Sequence, residues 1–452
     1  MNIIIAGNGK VGSSLARRLS EEGYNLTLID SNADVLSDVC EDCDVIGVEG
    51  NCASMPVLQQ AGVEDADLLI AATSQDEVNL LCCTTAHGLN PRLHTIGRIR
   101  NPEYTQQIYA MRDVFALSLS VNPEKQAARE IESLLRFPGF LQRDTFAKGR
   151  TAIVELRVDR DSRLRNVSLN TLNSIVKCRV LVCAVLRDGD AITPGGTFVL
   201  QEGDRVFVTA PTANLSTLLK NLNILTRKVR KVLLCGGGRI SQYLAEQLCK
   251  DGISVSLIEV DYNRCVQLAS ALPDATIIHG DATDKSLLEE HGLGNCDALI
   301  SLTDTDELNM IISLYANTRG VPQVITKLGH PENRSISNNL ALGSVISPRE
   351  LCCDTIVRYV RAMSNLSGTA ESVHTIAGGQ VEAVEFRVDE HTQNLGTPLK
   401  NIRLREGVLL VSITHGSVTE IPSGNSAFLE GDTIVAVTSR RGSLRQINDI
   451  FA

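Results

Sequence analysis

Apolar residues in this chain come in short, nearly unbroken runs separated by stretches of helical period. Ile3-Ile4-Ile5-Ala6, Leu26-Thr27-Leu28-Ile29 and residues 44–48, 67–73, 94–99 and 114–118 read as successive strands. Residues 13–19, 55–61, 76–85 and 122–135 read as the helices around them. Short apolar runs bounded by turn signals suit strands covered on both faces, and their alternation with helices predicts a parallel sheet. From residue 151 the texture changes. Residues 152–158 alternate like a half-buried strand, 178–185 and 201–208 continue that pattern, and a helix at 213–222 closes a small strand-rich α+β unit.

The first strand runs straight into Gly7-Asn8-Gly9-Lys10-Val11-Gly12, three glycines at G-x-G-x-x-G spacing. In a strand–turn–helix context Gly7 makes the turn, Gly9 admits a pyrophosphate and Gly12 lets helix and strand pack closely, while the helix N-terminus faces the phosphates. The second strand ends in Asp30, about 20 residues on, where this Rossmann-type arrangement places the acid that holds a ribose diol. Ligands of such sheets bind at the carboxyl ends of the strands. Those ends also carry Asn51 and Cys52, Thr73 and Ser74, and Arg98. A carboxylate at position 30 repels a 2′-phosphate, so NAD or an adenine nucleotide is favoured over NADP. Arg98 suits a phosphate contact, its alternatives being solvation or pairing with Asp76 or Glu77.

The chain then repeats itself. Gly236 stands 229 positions after Gly7, Glu259 stands 229 after Asp30, and Lys327 stands 229 after Arg98. The second glycine turn reads Gly236-Gly237-Gly238-Arg239-Ile240-Ser241, and Asp281-Ala282 and Thr303 fall where Asn51-Cys52 and Thr73 fell. Gly431 follows Gly203 by 228, so the small strand-rich unit is copied too. A steady offset over the whole length is an internal duplication. It predicts an α/β protein with two Rossmann-like doubly wound parallel sheets, each followed by a small α+β domain. The expected units are 1–145, 146–222, 229–368 and 369–452, with a short basic linker at 223–230. Ser241 in place of a third glycine predicts a slightly looser helix–sheet approach in the second copy, and Lys327 lacks the two-pronged geometry of Arg98.

Composition narrows the function. A net charge of −10, 4% aromatic residues and no Trp argue against nucleic acid as a partner. No apolar run approaches the roughly 20 residues that span a bilayer, and the opening Met1-Asn2-Ile3 reads as a strand rather than a leader, so a soluble cytosolic chain is expected. Thirteen scattered cysteines suit reduced thiols. Cys40 and Cys43 form a lone C-x-x-C without zinc-site partners, and the doublets Cys82-Cys83 and Cys352-Cys353 read as small core residues. No P-loop motif and no Tyr-x-x-x-Lys pair accompany the glycine turns, so no catalytic residue and no metal ligand is assigned. Three readings stay open: a nucleotide-sensing regulatory subunit, a soluble NAD-dependent dehydrogenase with a duplicated fold, and a structural ring whose nucleotide sites have decayed.

The opening I-I-I-A-G-N-G-K-V-G, the L-I-D of the second strand and the A-A-T-S-Q-D-E-V-N after the fourth resemble the N-terminal domain of the RCK or KTN type. The unit holding Gly203-Asp204 resembles its C-terminal companion. Two such pairs in one chain resemble the TrkA family, the peripheral cytosolic components of Trk potassium uptake systems. The resemblance implies binding of NAD(H) and ATP or ADP, with no enzymatic activity. The first site would use Gly7, Asn8, Gly9, Lys10, Val11, Gly12, Asp30, Thr73, Ser74 and Arg98. The second would use Gly236, Gly237, Gly238, Arg239, Ile240, Glu259, Thr303 and Lys327. It also implies a ring of RCK units, a homotetramer of the duplicated chain, lying on the inner face of the cell membrane against a potassium-translocating subunit of the TrkH/TrkG type.

Overall fold

A computed structural model of the protein describes residues 1–137, 139–224, 228–330, 340, 342–363, 370–439, 442 and 444–452. The middle of the expected linker, at 225–227, and the end of the expected third unit, at 364–368, lie outside the described residues. Two compact units emerge, one of residues 1–127 with 348–364 and one of 128–347 with 365–452.

The first unit is built on β1 (Asn2–Ala6), α1 (Lys10–Glu21), β2 (Asn25–Asp30), α2 (Ala33–Asp42), β3 (Val45–Glu49), α3 (Met55–Gln60), β4 (Leu68–Ala71), α4 (Asp76–Leu89), β5 (His94–Arg98), α5 (Tyr104–Ala110), β6 (Leu119–Val121) and the start of α6 (Pro123–Arg136). The strands form one sheet in the order β3-β2-β1-β4-β5-β6, all parallel. Alternate residues of each strand feed opposite cores, as the pleat requires. Ile3, Ile5, Leu26, Leu28, Leu68 and Ile70 meet Val11, Leu15 and Leu19 of α1. Ile4, Ala6, Ile29, Leu69 and Ala71 meet Leu58 of α3 and Cys82, Cys83 and Ala86 of α4.

The α1 face is closed by a helix from far along the chain. Pro348–Met363 lays Cys352, Cys353, Ile356, Val357 and Val360 into that core. Its polar flank is fixed by Arg18 to Asp354 (2.6 Å) and Glu350 (3.0 Å), and by Arg361 to Glu22. The cysteine doublets are therefore core residues as expected. Burial pushes the Cys83 and Cys352 thiols up to about 12.

The sixth strand was expected at 114–118. The structure makes 114–116 a turn, with Val114 exposed, and places β6 just beyond the expected run, at Leu119–Val121. An apolar run of that length does not by itself separate a strand from a buried turn.

The second unit contains two antiparallel sheets and a second parallel one. β7 (Gln142–Phe146), β8 (Thr151–Arg157), α7 (Leu169–Val176), β9 (Leu181–Arg187), β10 (Asp190–Ile192), β11 (Arg205–Pro211) and α8 (Leu215–Asn221) form a sheet ordered β10-β9-β11-β8-β7 with two helices. β7 pairs with β8 through five residues, so the boundary placed after residue 145 falls inside a strand. The parallel sheet follows the order β14-β13-β12-β15-β16-β17, matching the first position for position. Its elements are β12 (Lys231–Cys235), α9 (Arg239–Lys250), β13 (Ser254–Glu259), α10 (Tyr262–Ala271), β14 (Thr276–His279), α11 (Lys285–Glu290), β15 (Ala298–Ser301), α12 (Asp306–Thr318), β16 (Gln323–Lys327) and β17 (Ser344–Ile346). The last sheet, β18-β19-β22-β20-β21, uses β18 (Ala370–Ile376), β19 (Val381–Arg387), β20 (Val408–His415), β21 (Val418–Glu420) and β22 (Thr433–Thr438).

The two antiparallel sheets share a core: Phe146, Ile153, Cys183 and Phe207 of one pack with Ile376, Val381, Val411 and Val435 of the other. Equivalent residues reach across in both directions. Arg150 donates to the Gly416 carbonyl in one hairpin, while Gln380 accepts from Ala191 N–H (2.9 Å) and donates to the Gly189 carbonyl (2.6 Å) in the other. Position 380 follows 150 by 230, so the duplication has become a pseudo-twofold pairing within one chain.

Candidate functional site

Each parallel sheet opens at the carboxyl ends of its strands, and the two crevices are built alike. Gly7 has φ +93° and Gly236 φ +103°, a conformation that a side chain resists. At Gly7 a Cβ would also lie 2.8 Å from the Thr73 backbone. The turn aims the next amide at the acid: Asn8 N–H donates to Asp30 Oδ2 at 2.6 Å, and Gly237 N–H to Glu259 Oε2 at 2.6 Å. The other carboxylate oxygen of each accepts from Asn32 N–H (3.0 Å) or Asp261 N–H (2.8 Å). Both acids are thus held in one orientation at the strand end.

Helices α1 and α9 start at Gly9 and Gly238 with no side-chain cap. Their neighbours α2, α10 and α11 are each capped, by Asn32, Asp261 and Asp284. Free first-turn N–H groups want an acceptor, so these ends suit an anion; α3, α4 and α12 also lack a side-chain cap, and it is the glycine turn beside them that sets α1 and α9 apart. A Cβ at Gly9 or Gly238 would meet nothing within 4 Å, leaving the approach open, and Lys10 and Arg239 beside them are exposed. Val11 and Ile240 are buried beneath the turn and hold the helix to the sheet.

A clamp not foreseen from the sequence fixes the far wall. Asn79, fully buried on α4, accepts from Thr73 N–H (2.9 Å) and the Thr73 hydroxyl (2.7 Å), and donates to the Arg98 carbonyl (2.8 Å). Asn309 does the same for Thr303 (2.8 and 2.8 Å) and Lys327 (3.1 Å). Asp76 and Asp306, also buried, tie down the next loop, accepting from Arg100 and Asn101 N–H (2.7 Å each) and from Gly329 (2.7 Å) and His330 N–H (2.9 Å). It is Arg100, not Arg98, that pairs with Asp76, and the Arg100 guanidinium also donates to the Ser74 carbonyl.

Arg98 donates from one terminal nitrogen to the Thr73 carbonyl (2.6 Å), and its buried Nε has no partner. Burial, with Arg100 nearby, lowers its pKa from the ordinary value. A guanidinium held at a crevice wall without a carboxylate partner fits a phosphate. Lys327 stands at the same place, 3.7 Å from exposed Asp304. Asn51 and Asp281 use their side-chain oxygens to make the turns after β3 and β14, accepting from Ala53 N–H (3.0 Å) and Thr283 N–H (2.8 Å). Cys52 and Ala282 are buried behind those turns.

The copies differ in two linked places. In the first, Asn8 donates from Nδ2 to the Val35 carbonyl (2.8 Å). In the second, the equivalent of Asn8 is Gly237, and the equivalent of Val35 is Arg264, whose Nε donates to the Gly237 carbonyl (2.9 Å). One brace has been rebuilt from the opposite side, adding a cation to the second crevice. The looser packing expected at Ser241 does not occur. Ser241 is fully buried, and its hydroxyl donates to the Gly236 carbonyl. In the first copy a Cβ at Gly12 would lie 1.9 Å from the matching Gly7 oxygen.

A cleft of about 640 Å³ lies elsewhere in the second unit, lined by Glu155, Arg157, Arg205 and Gln323 among others. Two of its arginines already have carboxylate partners, Arg205 in buried Glu155 and Arg157 in Asp159. No helix among the described residues is long and apolar enough to cross a membrane.

Comparison with known proteins matches the domain order and the fold. The TrkA-N domain matches residues 3–115 and 232–348, and the TrkA-C domain matches 153–223 and 383–452. The chain is 30% identical over 456 residues to the Trk system potassium uptake protein TrkA of Halomonas elongata, a match covering 100% of this chain and 98% of that one. Its fold is that of the GsuK RCK domain crystal structure (TM-score 0.61, 17% identity, 96% of this chain and 92% of that one). The GsuK channel bound to NAD is similarly related (TM-score 0.60, 17% identity, 97% and 76% covered).

Proposed function

The chain belongs to the TrkA family, with TrkA-N and TrkA-C domains alternating twice, and on that premise we propose that it is the nucleotide-binding regulatory subunit of a membrane potassium uptake system. It would work in the cytoplasm, peripheral on the inner face of the membrane, as a homotetrameric ring against a translocating subunit of the TrkH/TrkG type. Its domains would follow the four-unit order expected from the duplication, with the first boundary moved ahead of β7, and it would have no catalytic role. The observation that carries the reading is the twice-built crevice: an uncapped helix N-terminus, a carboxylate locked at a strand end, and a cation on the opposite wall.

NAD(H), ATP and ADP share a ribose and a phosphate chain, which these groups match. Asp30 or Glu259 would take the ribose diol. Gly7 to Gly12, or Gly236 to Ile240, would take the phosphates, with Thr73, Ser74 and Arg98, or Thr303 and Lys327, closing the wall. The Asn51-Cys52 and Asp281-Ala282 turns would border the base. No observation favours the dehydrogenase reading.

Regulation follows from linkage. A nucleotide shifts the gate only by the difference of its affinities for two ring conformations, and a tenfold preference supplies about 1.4 kcal/mol per site. Identical sites in a closed ring sum that bias. Affinities for ATP, ADP and NADH measured with and without the membrane subunit test the reading. At least one should change severalfold on assembly, and equal affinities in both states would overturn it.

A further inference from the structure

The two antiparallel sheets that share a core are not interchangeable halves. Strand register fixes their equivalences. Asp144 lies opposite Ile153 on β8, His374 lies opposite Ala383 on β19, and each residue of the second pair stands 230 positions after its match in the first. Asp144 and His374 are therefore one position in two copies, and they meet. His374 Nδ1 lies 3.0 Å from Asp144 Oδ1, with both side chains mostly buried. A position that touches its own copy sits on the pseudo-twofold axis. A carboxylate and an imidazole facing there can hold one proton between them. A pair of first domains would instead set two carboxylates at that distance, where both cannot readily ionise. Burial and Asp144 together already push neighbouring Glu130 up to about 7, so a further acid is unwelcome. A pair of second domains would set imidazole against imidazole.

Off the axis the same logic recurs with neutral groups. Thr151 and Ser412 are fully buried, and the Thr151 hydroxyl donates to Ser412 Oγ (3.4 Å). The copy of Thr151 is Val381. The counterpart of Ser412 is Ala184, because the two lie opposite the equivalent residues Val435 and Phe207. Val381 and Ala184 both belong to the shared apolar core. Hydroxyl thus faces hydroxyl on one side of the axis, and the matching place on the other side is apolar. Pairing of like domains would put each hydroxyl against an apolar side chain, buried without a partner.

We propose that this surface selects its mate: a first TrkA-C domain accepts a second one, from its own or another copy of the chain, and rejects another first. Asp144 with His374 and Thr151 with Ser412 are the residues that decide. Net charge works in the same direction. Residues 142–222 hold 12 basic and 8 acidic side chains, and residues 369–452 hold 7 and 10, so unlike domains attract and like domains repel. Wherever several copies gather, first–first and second–second pairs are excluded, and every small domain has a defined mate. The rule holds whatever the crevices bind.

Scanning calorimetry of the full chain tests this, because single substitutions recreate a like pair at one point. His374→Asp sets acid against acid, as two first domains would, and should lower the melting temperature of the second unit by about 5–10 °C. Adding Asp144→His turns the pair round and should bring it back to within about 3 °C of the parent. Ser412→Ala strands the Thr151 hydroxyl, and Thr151→Val strands that of Ser412. Each should lower the transition by about 2–4 °C, and the two together by less than either alone. Hydrogen exchange should place these losses in β7, β8, β18 and β20, which carry the four residues. His374→Asp melting like the parent would overturn the proposal. So would a turned pair that melts no higher than His374→Asp, or a Thr151→Val, Ser412→Ala chain no better than its single variants. If His374→Asp does not fold, a folded chain on adding Asp144→His upholds the proposal, and continued failure overturns it.

Discussion

Replacing Asn79 by alanine removes the clamp that joins β4 to β5. Three good hydrogen bonds go, to Thr73 N–H (2.9 Å), the Thr73 hydroxyl (2.7 Å) and the Arg98 carbonyl (2.8 Å). At about 1 kcal/mol net for each, the loss is about 3 kcal/mol. Groups left buried without a partner would add to this, and water entering beside half-exposed Thr73 would offset the addition. For a unit of this size about 3 kcal/mol lowers its melting temperature by roughly 10 °C. Asn309→Ala should cost the second parallel sheet a similar amount, because its bonds to Thr303 and Lys327 repeat the geometry. Asn79→Asp keeps the shape but turns both donors into acceptors facing carbonyls, so it should be no milder than alanine. Scanning calorimetry gives the transition, and hydrogen exchange at β4 and β5 shows where protection is lost. NADH titration should show an affinity at least tenfold lower, since the same clamp positions the Arg98 backbone. A fall of less than about 3 °C with NADH affinity unchanged would refute the claim that Asn79 organises the crevice wall.

Glu130, on the last turns of α6, is pushed up from 4.5 to about 7 by burial and by Asp144, against the opposing pull of Arg143 and His374. Unfolding therefore releases a proton between those values, and stability should fall as pH rises through that window, by about 3 kcal/mol at most. Glu130→Gln should melt higher than the parent at pH 8 and alike at pH 4; parallel melting curves at all pH values would contradict this. Ile356→Ala empties a site in the first unit's core and should cost about 2–5 kcal/mol. Hydrogen exchange should report that loss in β1 and β2, whose sequence lies more than 300 residues earlier; loss confined to the helix itself would argue against the packing described.

Much of the site was legible because its parts are local. Gly7, Gly9 and Gly12 follow one another within a turn, and Asp30 is one helix away, so spacing alone located them. The duplication did the rest, since a motif copied at constant offset is unlike chance. Asn79 and Asp76 escaped because their bonds run to the backbone of other loops, and nothing in a buried Asn or Asp of a helix announces a remote carbonyl or amide. Ser241 misled for a related reason: a missing glycine reads as lost contact, but its hydroxyl found the carbonyl that a methyl group would strike. The short strand β6 was blurred by an apolar run that ends in a turn, while β7, Gln142 to Phe146, is too polar to read as a strand. Least legible was the Pro348–Met363 helix, whose apolar stripe fits any sheet face, so its place on the first sheet is a tertiary fact.

That placement matters while the chain is being made. The first sheet is complete by residue 127, yet the helix that covers one face begins only at Pro348. At about 5–20 residues per second, a ribosome needs roughly ten to forty seconds to synthesise the interval. For that time Leu15, Leu28 and Ile70 border an uncovered face, open to a chaperone or to the same helix of a neighbouring nascent chain. Slow translation across residues 128–347 should therefore favour exchange of this helix between chains, so that the speed of synthesis bears on which copy closes which core.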